Sequence, residues 1–229
     1  MGLSSWFRDL GVPWKISVGI LGGVAAVTSA YGLYTFYAHL QDRKDESFDG
    51  ETAGETSEKK ILVLGLEGAG KSTFLAALAQ HDSPITSERE ATKPTEGFHV
   101  VCVSTEGISL NIWEIGGKFQ SYWPNFLTDV SVIVYAIDSS ASERFDESKN
   151  ALLGVLSEDT LKGVPLLLLA CKQDAEGAKP SEDIASIFGL QELCSTHKVR
   201  IAAIEILGNG EARGVQEAKE LILNFCAQK

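Results

Sequence analysis

A doubly wound α/β fold with a mostly parallel sheet is the class this sequence predicts, on three observations. The run ILVL at 61–64 is followed at once by GLEGAGKST at 65–73 and then by the helix-prone FLAALA at 74–79. Strand, glycine-rich loop and helix in that order open such a domain. The runs VSVIVYAI at 130–137 and VPLLLLA at 164–170 are continuously apolar, as strands covered on both faces are. Helical patterns around 143–156, 181–188 and 211–227 fall between and after these runs. Strands therefore alternate with helices, and a ligand belongs at the strands' carboxyl ends.

Gly65, Gly70, Lys71 and Ser72 fill the G-x-x-x-x-G-K-[ST] pattern of a phosphate-binding loop. Glycines allow backbone N–H groups to turn inward around a polyphosphate, and the start of the helix adds its positive dipole end. Glu67, Gly68, Ala69 and Thr73 complete the expected nucleotide contacts. Lys71 would reach the β- and γ-phosphates, and the Ser72 hydroxyl would ligate Mg²⁺. The bland alternative is a turn that merely joins strand to helix; strand, loop, lysine, hydroxyl and helix together argue against it. Beyond a polar stretch at 81–96, FHVVCVS at 98–104 and ISLNIWEI at 108–115 alternate as paired strands around Thr105, Glu106 and Gly107. A last strand is expected over 199–206.

The 229 residues are 44% hydrophobic, enough for a full core. A net charge of −11 speaks against nucleic-acid binding by phosphate neutralisation. Cys102, Cys171, Cys194 and Cys226 are scattered, which points away from a zinc site or disulfide framework and toward a reducing compartment.

Residues 16–38 carry no charge and, at about 1.5 Å per helical residue, are long enough to cross a hydrocarbon layer of about 30 Å. Trp6, Phe7 and Trp14 before the run, and Tyr34, Phe36 and Tyr37 near its end, suit the two interfaces. Gly19 and Gly23 form a lone G-x-x-x-G that would let two such helices pack. A cleaved signal would be shorter and an in-plane helix would need a charged face. The expected organisation is a short segment at 1–15, a single transmembrane helix at 16–38, an acidic flexible linker at 39–59 and the folded domain at 60–229. Flanking positive charges nearly balance (Arg8 and Lys15 against Arg43 and Lys44), so orientation follows from chemistry. Nucleoside triphosphates and reduced thiols place the domain on the cytosolic side.

Taken together, GLEGAGKST, PTEGF at 94–98, WEIGG at 113–117 and CKQD at 171–174 resemble, in order, the GLDxAGKT, PTxGF, WDxGG and NKxD motifs of ADP-ribosylation-factor-like small GTPases. The resemblance covers residues 59–229. Within the family it is most similar to the branch containing ADP-ribosylation factor-like proteins 9 and 10. It implies a small-GTPase domain that binds GTP and GDP with Mg²⁺. Thr95 would be the switch I threonine, its hydroxyl on Mg²⁺ and its backbone toward the γ-phosphate. Gly117 would present its N–H to the same phosphate from switch II. Asp174 would accept the guanine N1 and N2 hydrogens, and Lys172 would lie along the base. Phe98, Trp113 and Phe126 match the family's aromatic effector patch, with core packing as the alternative for all three. An effector, an exchange factor and a GTPase-activating protein are the implied partners.

Four departures bear on what is inherited. Lys118 stands where the family carries a water-orienting glutamine, and lysine has no acceptor with which to hold a water. Lys118 is free to pair with the γ-phosphate instead. Cys171 replaces the asparagine of NKxD, a loss of hydrogen bonding that should cost about 1–3 kcal/mol, or roughly ten- to hundred-fold in affinity. Glu114 replaces the aspartate that contacts Mg²⁺ through water, keeping the charge but adding a methylene. Switch II is about two residues shorter before Pro124, which suits a helix start. No catalytic residue is therefore assured. The expected function is a membrane-anchored guanine-nucleotide switch with very slow hydrolysis. A non-hydrolysing adaptor is the alternative, and an ATP-dependent enzyme has only the phosphate loop in its favour.

Overall fold

In the computed structural model, residues 57–82, 95, 97–105, 107–208 and 210–227 are described. The segment at 1–15, the apolar run at 16–38 and the linker up to residue 56 lie outside them. Among the described residues no helix is long and apolar enough to cross a membrane.

Strand β1 (Ser57–Leu64) is the hub of the sheet. It starts three residues before the domain start expected at residue 60, because Ser57, Glu58 and Lys59 already pair with Ile108, Ser109 and Leu110. Helix α1 (Lys71–Asp82) follows the glycine-rich loop. Strands β2 (Phe98–Thr105) and β3 (Ile108–Ile115) form the expected antiparallel hairpin, with Gly107 at φ 83° in its turn. A 3-10 helix (Gln120–Phe126) leads to β4 (Val130–Asp138). A short 3-10 turn (Ser142–Arg144) enters α2 (Phe145–Leu156), and β5 (Leu166–Cys171) follows. Then come α3 (Ser181–Ile187), α4 (Leu190–Leu193), β6 (Val199–Ala203), the two-residue strands β7 (Glu205–Ile206) and β8 (Ala212–Arg213), and α5 (Val215–Ala227).

The six-stranded sheet runs β2-β3-β1-β4-β5-β6, all parallel except β2. Chain order reverses about β1, since β3 lies on one side of it and β4 on the other. In open α/β sheets that reversal opens a crevice at the strands' carboxyl ends. Side-chain alternation divides the core between the two faces. Ile61 and Val63 pack with Phe74, Leu78, Ile222 and Phe225 under α1 and α5. Leu62 and Leu64 pack with Tyr135, Leu168, Leu152 and Ile184 under α2 and α3. All four of these β1 side chains are fully buried, which is why the run reads as continuously apolar.

Further boundaries differ from the expected ones. The last strand stops at Ala203 instead of 206, and Glu205–Ile206 pairs antiparallel with Ala212–Arg213. Helix α5 accordingly begins at Val215 and not 211. At Gly214, φ is 78° and a Cβ would stand 1.8 Å from the Ala203 carbonyl oxygen, so only glycine fits between hairpin and helix. Pro124 lies inside the 3-10 helix, which starts four residues earlier than a proline-led helix would.

Leu168 is 0% exposed and Leu153 41% exposed. Leu168→Ala should lower stability by about 2–5 kcal/mol through lost burial and a residual cavity. Leu153→Ala should change it by less than about 0.5 kcal/mol. Denaturant unfolding of the two variants against the parent checks both.

Candidate functional site

The loop after β1 folds over its own lysine. The Lys71 ammonium donates to the carbonyl oxygens of Gly65 at 2.9 Å and Leu66 at 2.8 Å. The side chain is buried. Burial holds its pKa below the usual lysine range, opposed chiefly by the Glu114 carboxylate. Phe74 N–H donates to the Gly70 carbonyl at 2.9 Å, starting the α1 ladder immediately behind the loop.

Around this loop lies a cleft of about 330 Å³. Residues 67–73 line it, together with Thr95, Glu114, Gly117, Lys118 and Lys172. The phosphate-side and metal-side residues expected from sequence thus converge. Gly65 contributes its carbonyl from beneath Lys71. Cys171 and Asp174 are not among the lining residues.

Three hydroxyl and carboxylate groups meet at one point. Ser72 Oγ donates to Glu114 Oε1 at 2.5 Å, and Thr95 Oγ1 donates to the same oxygen at 3.1 Å. The two hydroxyl oxygens are 3.1 Å apart. They come from the start of α1, the segment before β2, and β3. Hard oxygens converging beside a phosphate loop are the donor set that suits Mg²⁺, so the residues present fit that ion.

Gly117 lies directly on the loop. A Cβ there would stand 2.1 Å from the Glu67 backbone nitrogen, so the approach requires glycine. The adjacent Lys118 reaches back over the loop and pairs with Glu67, Nζ to Oε1 at 3.0 Å. Both side chains are well exposed, so the pair adds little stability. Both residues line the cleft, so the pair stands beside the phosphate loop.

On the other side, Cys171 ends β5 and packs against the loop. A Cβ on Gly70 would be 3.1 Å from Cys171 Cβ and 3.5 Å from its sulfur. Burial pushes the thiol pKa up to about 12, so it is a neutral packing group. The next residue, Lys172, adopts φ 59° and pairs with Asp138 Oδ2 at 2.5 Å. Burial opposes ionisation of Asp138, yet hydrogen bonds from Lys172 and Ser140 outweigh it and hold the carboxyl below its usual range. Asp174 Oδ1 lies 3.5 Å from the Ile206 backbone nitrogen.

Phe98, Trp113 and Phe126 form one cluster. Phe98 stacks on Trp113 at 5.6 Å between ring centroids, and Phe126 lies 5.5 Å from Phe98 and 6.2 Å from Trp113. Each is partly buried and packs on the core face under α2. The Lys60 ammonium sits 5.3 Å from the Trp113 ring and donates to the Phe126 carbonyl at 2.9 Å. Packing and surface exposure therefore coexist in these rings.

Sequence reasoning missed three participants. Arg144 Nη1 donates to the Glu67 carbonyl at 2.9 Å and so braces the phosphate loop. Asp138 holds Lys172, and the stretch from Ile204 to Ile206 flanks the CKQD turn through Gln173 N–H to the Ile204 carbonyl at 3.1 Å. A charged residue at a strand's carboxyl end was the available signal for Asp138, whereas Arg144, in the 3-10 turn before α2, carried none.

The profile of the ADP-ribosylation factor family matches residues 48–225. ADP-ribosylation factor-like protein 3 of Chlamydomonas reinhardtii is 38% identical over 168 residues, which is 72% of this chain and 89% of that protein. ADP-ribosylation factor-like protein 9 of Homo sapiens is 34% identical over 177 residues, 76% of this chain and 91% of that protein. A solved structure of the Arl6 BBS3 small GTPase from Trypanosoma brucei, with bound nucleotide analogue GppNp, is similar in fold. Its TM-score is 0.65 at 22% identity, covering 75% of this chain and 99% of that one. With a profile match across nearly all of the folded domain, and relatives a third or more identical over most of their length, the chain belongs to the ADP-ribosylation factor family of small GTPases.

Proposed function

We propose that this chain is a membrane-anchored guanine-nucleotide switch that holds GTP, turns it over very slowly unaided, and recruits an effector in the triphosphate state. The observation that carries the reading is the joint placement of Thr95 and Gly117 over an intact phosphate loop, with Lys118 paired to Glu67 beside them. Loop N–H groups and Lys71 would hold the phosphates, Ser72 and Thr95 the Mg²⁺, and Asp174 and Lys172 the guanine. Bound Mg²⁺ would neutralise charge shared by the β- and γ-phosphate oxygens. Thr95 and Gly117 sense the terminal phosphate, so its loss releases two segments at once. The Phe98, Trp113 and Phe126 cluster lies on the same hairpin and 3-10 helix and would carry that change to an effector. An exchange factor and a GTPase-activating protein would set the rates, the latter supplying the group that Lys118 does not.

Cys171 favours a second reading, a non-hydrolysing adaptor. A buried neutral thiol against Gly70 packs the loop without the hydrogen bonds an asparagine would make. Undetectable single-turnover hydrolysis, with equal partner binding in both nucleotide states, would favour the adaptor. The branch containing ADP-ribosylation factor-like proteins 9 and 10 remains our assignment within the family.

Titrating the full chain with labelled GTP and Mg²⁺ should give saturable binding that GDP displaces and ATP at equal concentration does not. Displacement by ATP at similar concentration would overturn guanine specificity. In single-turnover assays, Lys118→Gln should raise hydrolysis about ten-fold or more by restoring a water-holding amide, whereas Lys118→Ala should not. An equal rise in both variants would mean that the lysine merely obstructs. Residues 16–38 are proposed to span the bilayer with the domain in the cytosol, so attachment should be independent of nucleotide. Membrane-fraction protein should resist high salt with either GDP or a GTP analogue; release by salt in GDP would contradict the span.

A further inference from the structure

Glu114 is 1% exposed, and its Oε1 accepts from two hydroxyls that belong to separate segments of the chain. The three oxygens form a triangle with edges of 2.5, 3.1 and 3.1 Å. Octahedral Mg²⁺, with metal–oxygen distances of about 2.0–2.1 Å, sets neighbouring ligands about 2.9 Å apart. Two of the triangle's edges lie near that spacing, and the third, a short hydrogen bond, is tighter, so the three oxygens stand close enough together to share one ion. An aspartate at this position in the family acts on the ion through a water. Here the extra methylene carries the carboxylate to the two hydroxyls themselves, leaving no room for a water between them.

We infer that Glu114 ligates the divalent ion directly, in the place of a water, so that the triphosphate state holds its ion by three protein oxygens: Ser72, Thr95 and Glu114. This rests on the nucleotide-switch reading. A third protein ligand that carries a charge fixes the ion to the chain as well as to the nucleotide. Nucleotide release then becomes less sensitive to removal of free Mg²⁺. The departure at Glu114 is, on this account, a change in how the ion is held.

The test uses the full chain in mild detergent, loaded with a labelled non-hydrolysable GTP analogue and with Mn²⁺ as a paramagnetic substitute for Mg²⁺. Line broadening in ¹⁷O-enriched water counts the waters on the ion. Six-fold coordination by the three protein oxygens and two phosphate oxygens leaves about one water in the wild-type chain, against about two if Glu114 acts through water. Glu114→Asp, checked for folding by its thermal melt, should restore the second water. It should also raise by about ten-fold the free Mg²⁺ needed to retain nucleotide. The wild-type count stands without the variant. About two waters with nucleotide retained would overturn direct ligation alone, and a folded chain that retains no labelled nucleotide would overturn the switch reading and this inference with it.

Discussion

A carboxylate that water barely reaches has to be solvated by the protein, and Glu114 is the group on which this site depends. Placing an ionised side chain at 1% exposure is costly unless other groups replace its hydration. Two hydroxyls do so, and the positive charge of the nearby Lys71 assists. Those partners come from the first turn of α1 and from the segment before β2, while Glu114 itself comes from β3. One buried charge thus ties together three elements that sequence keeps apart. It also explains why Ser72 and Thr95 face each other at 3.1 Å: both are drawn to the same oxygen.

The loop above is maintained differently. Its shape follows from backbone conformation, from Lys71 bonded to Gly65 and Leu66, and from Arg144 bonded to Glu67. None of these uses a side chain at the departing positions. Cys171 meets the loop only by packing, and Lys118 meets it through an exposed ion pair. The side chains at 118 and 171 can therefore differ from the family's usual ones without unmaking the loop's own bonds.

Much of the architecture was legible because its signals are local. The β1–loop–α1 unit, the β2–β3 hairpin and the apolar strands β4 and β5 each declare themselves within a few residues, through continuous burial or alternation. The family motifs then named Thr95, Gly117 and Asp174 one position at a time. What sequence concealed was pairing over distance. Lys118 and Glu67 were each singled out, but their contact spans two loops that only the fold brings together. Arg144 reaches a backbone carbonyl, a partner that no residue type advertises. The hairpin at Glu205–Ile206 and Ala212–Arg213 was hidden because Ile204, Glu205 and Ile206 alternate as a strand continuing the sheet would; the close approach at Gly214 decides against it.

The same contrast bears on how a switch of this design diverges. Lys118 meets the loop through a single exposed ion pair, so its side chain can change with little consequence for the fold. The phosphate cradle rests on backbone groups and on oxygens that also stabilise one another, so it does not depend on the side chains at 118 and 171. A change at 118 costs the folded state almost nothing, since Lys118 is exposed, whereas removing Glu114 would leave Ser72 and Thr95 without their shared acceptor. Stability alone therefore favours keeping the corner formed by Ser72, Thr95 and Glu114, while it places little constraint on position 118.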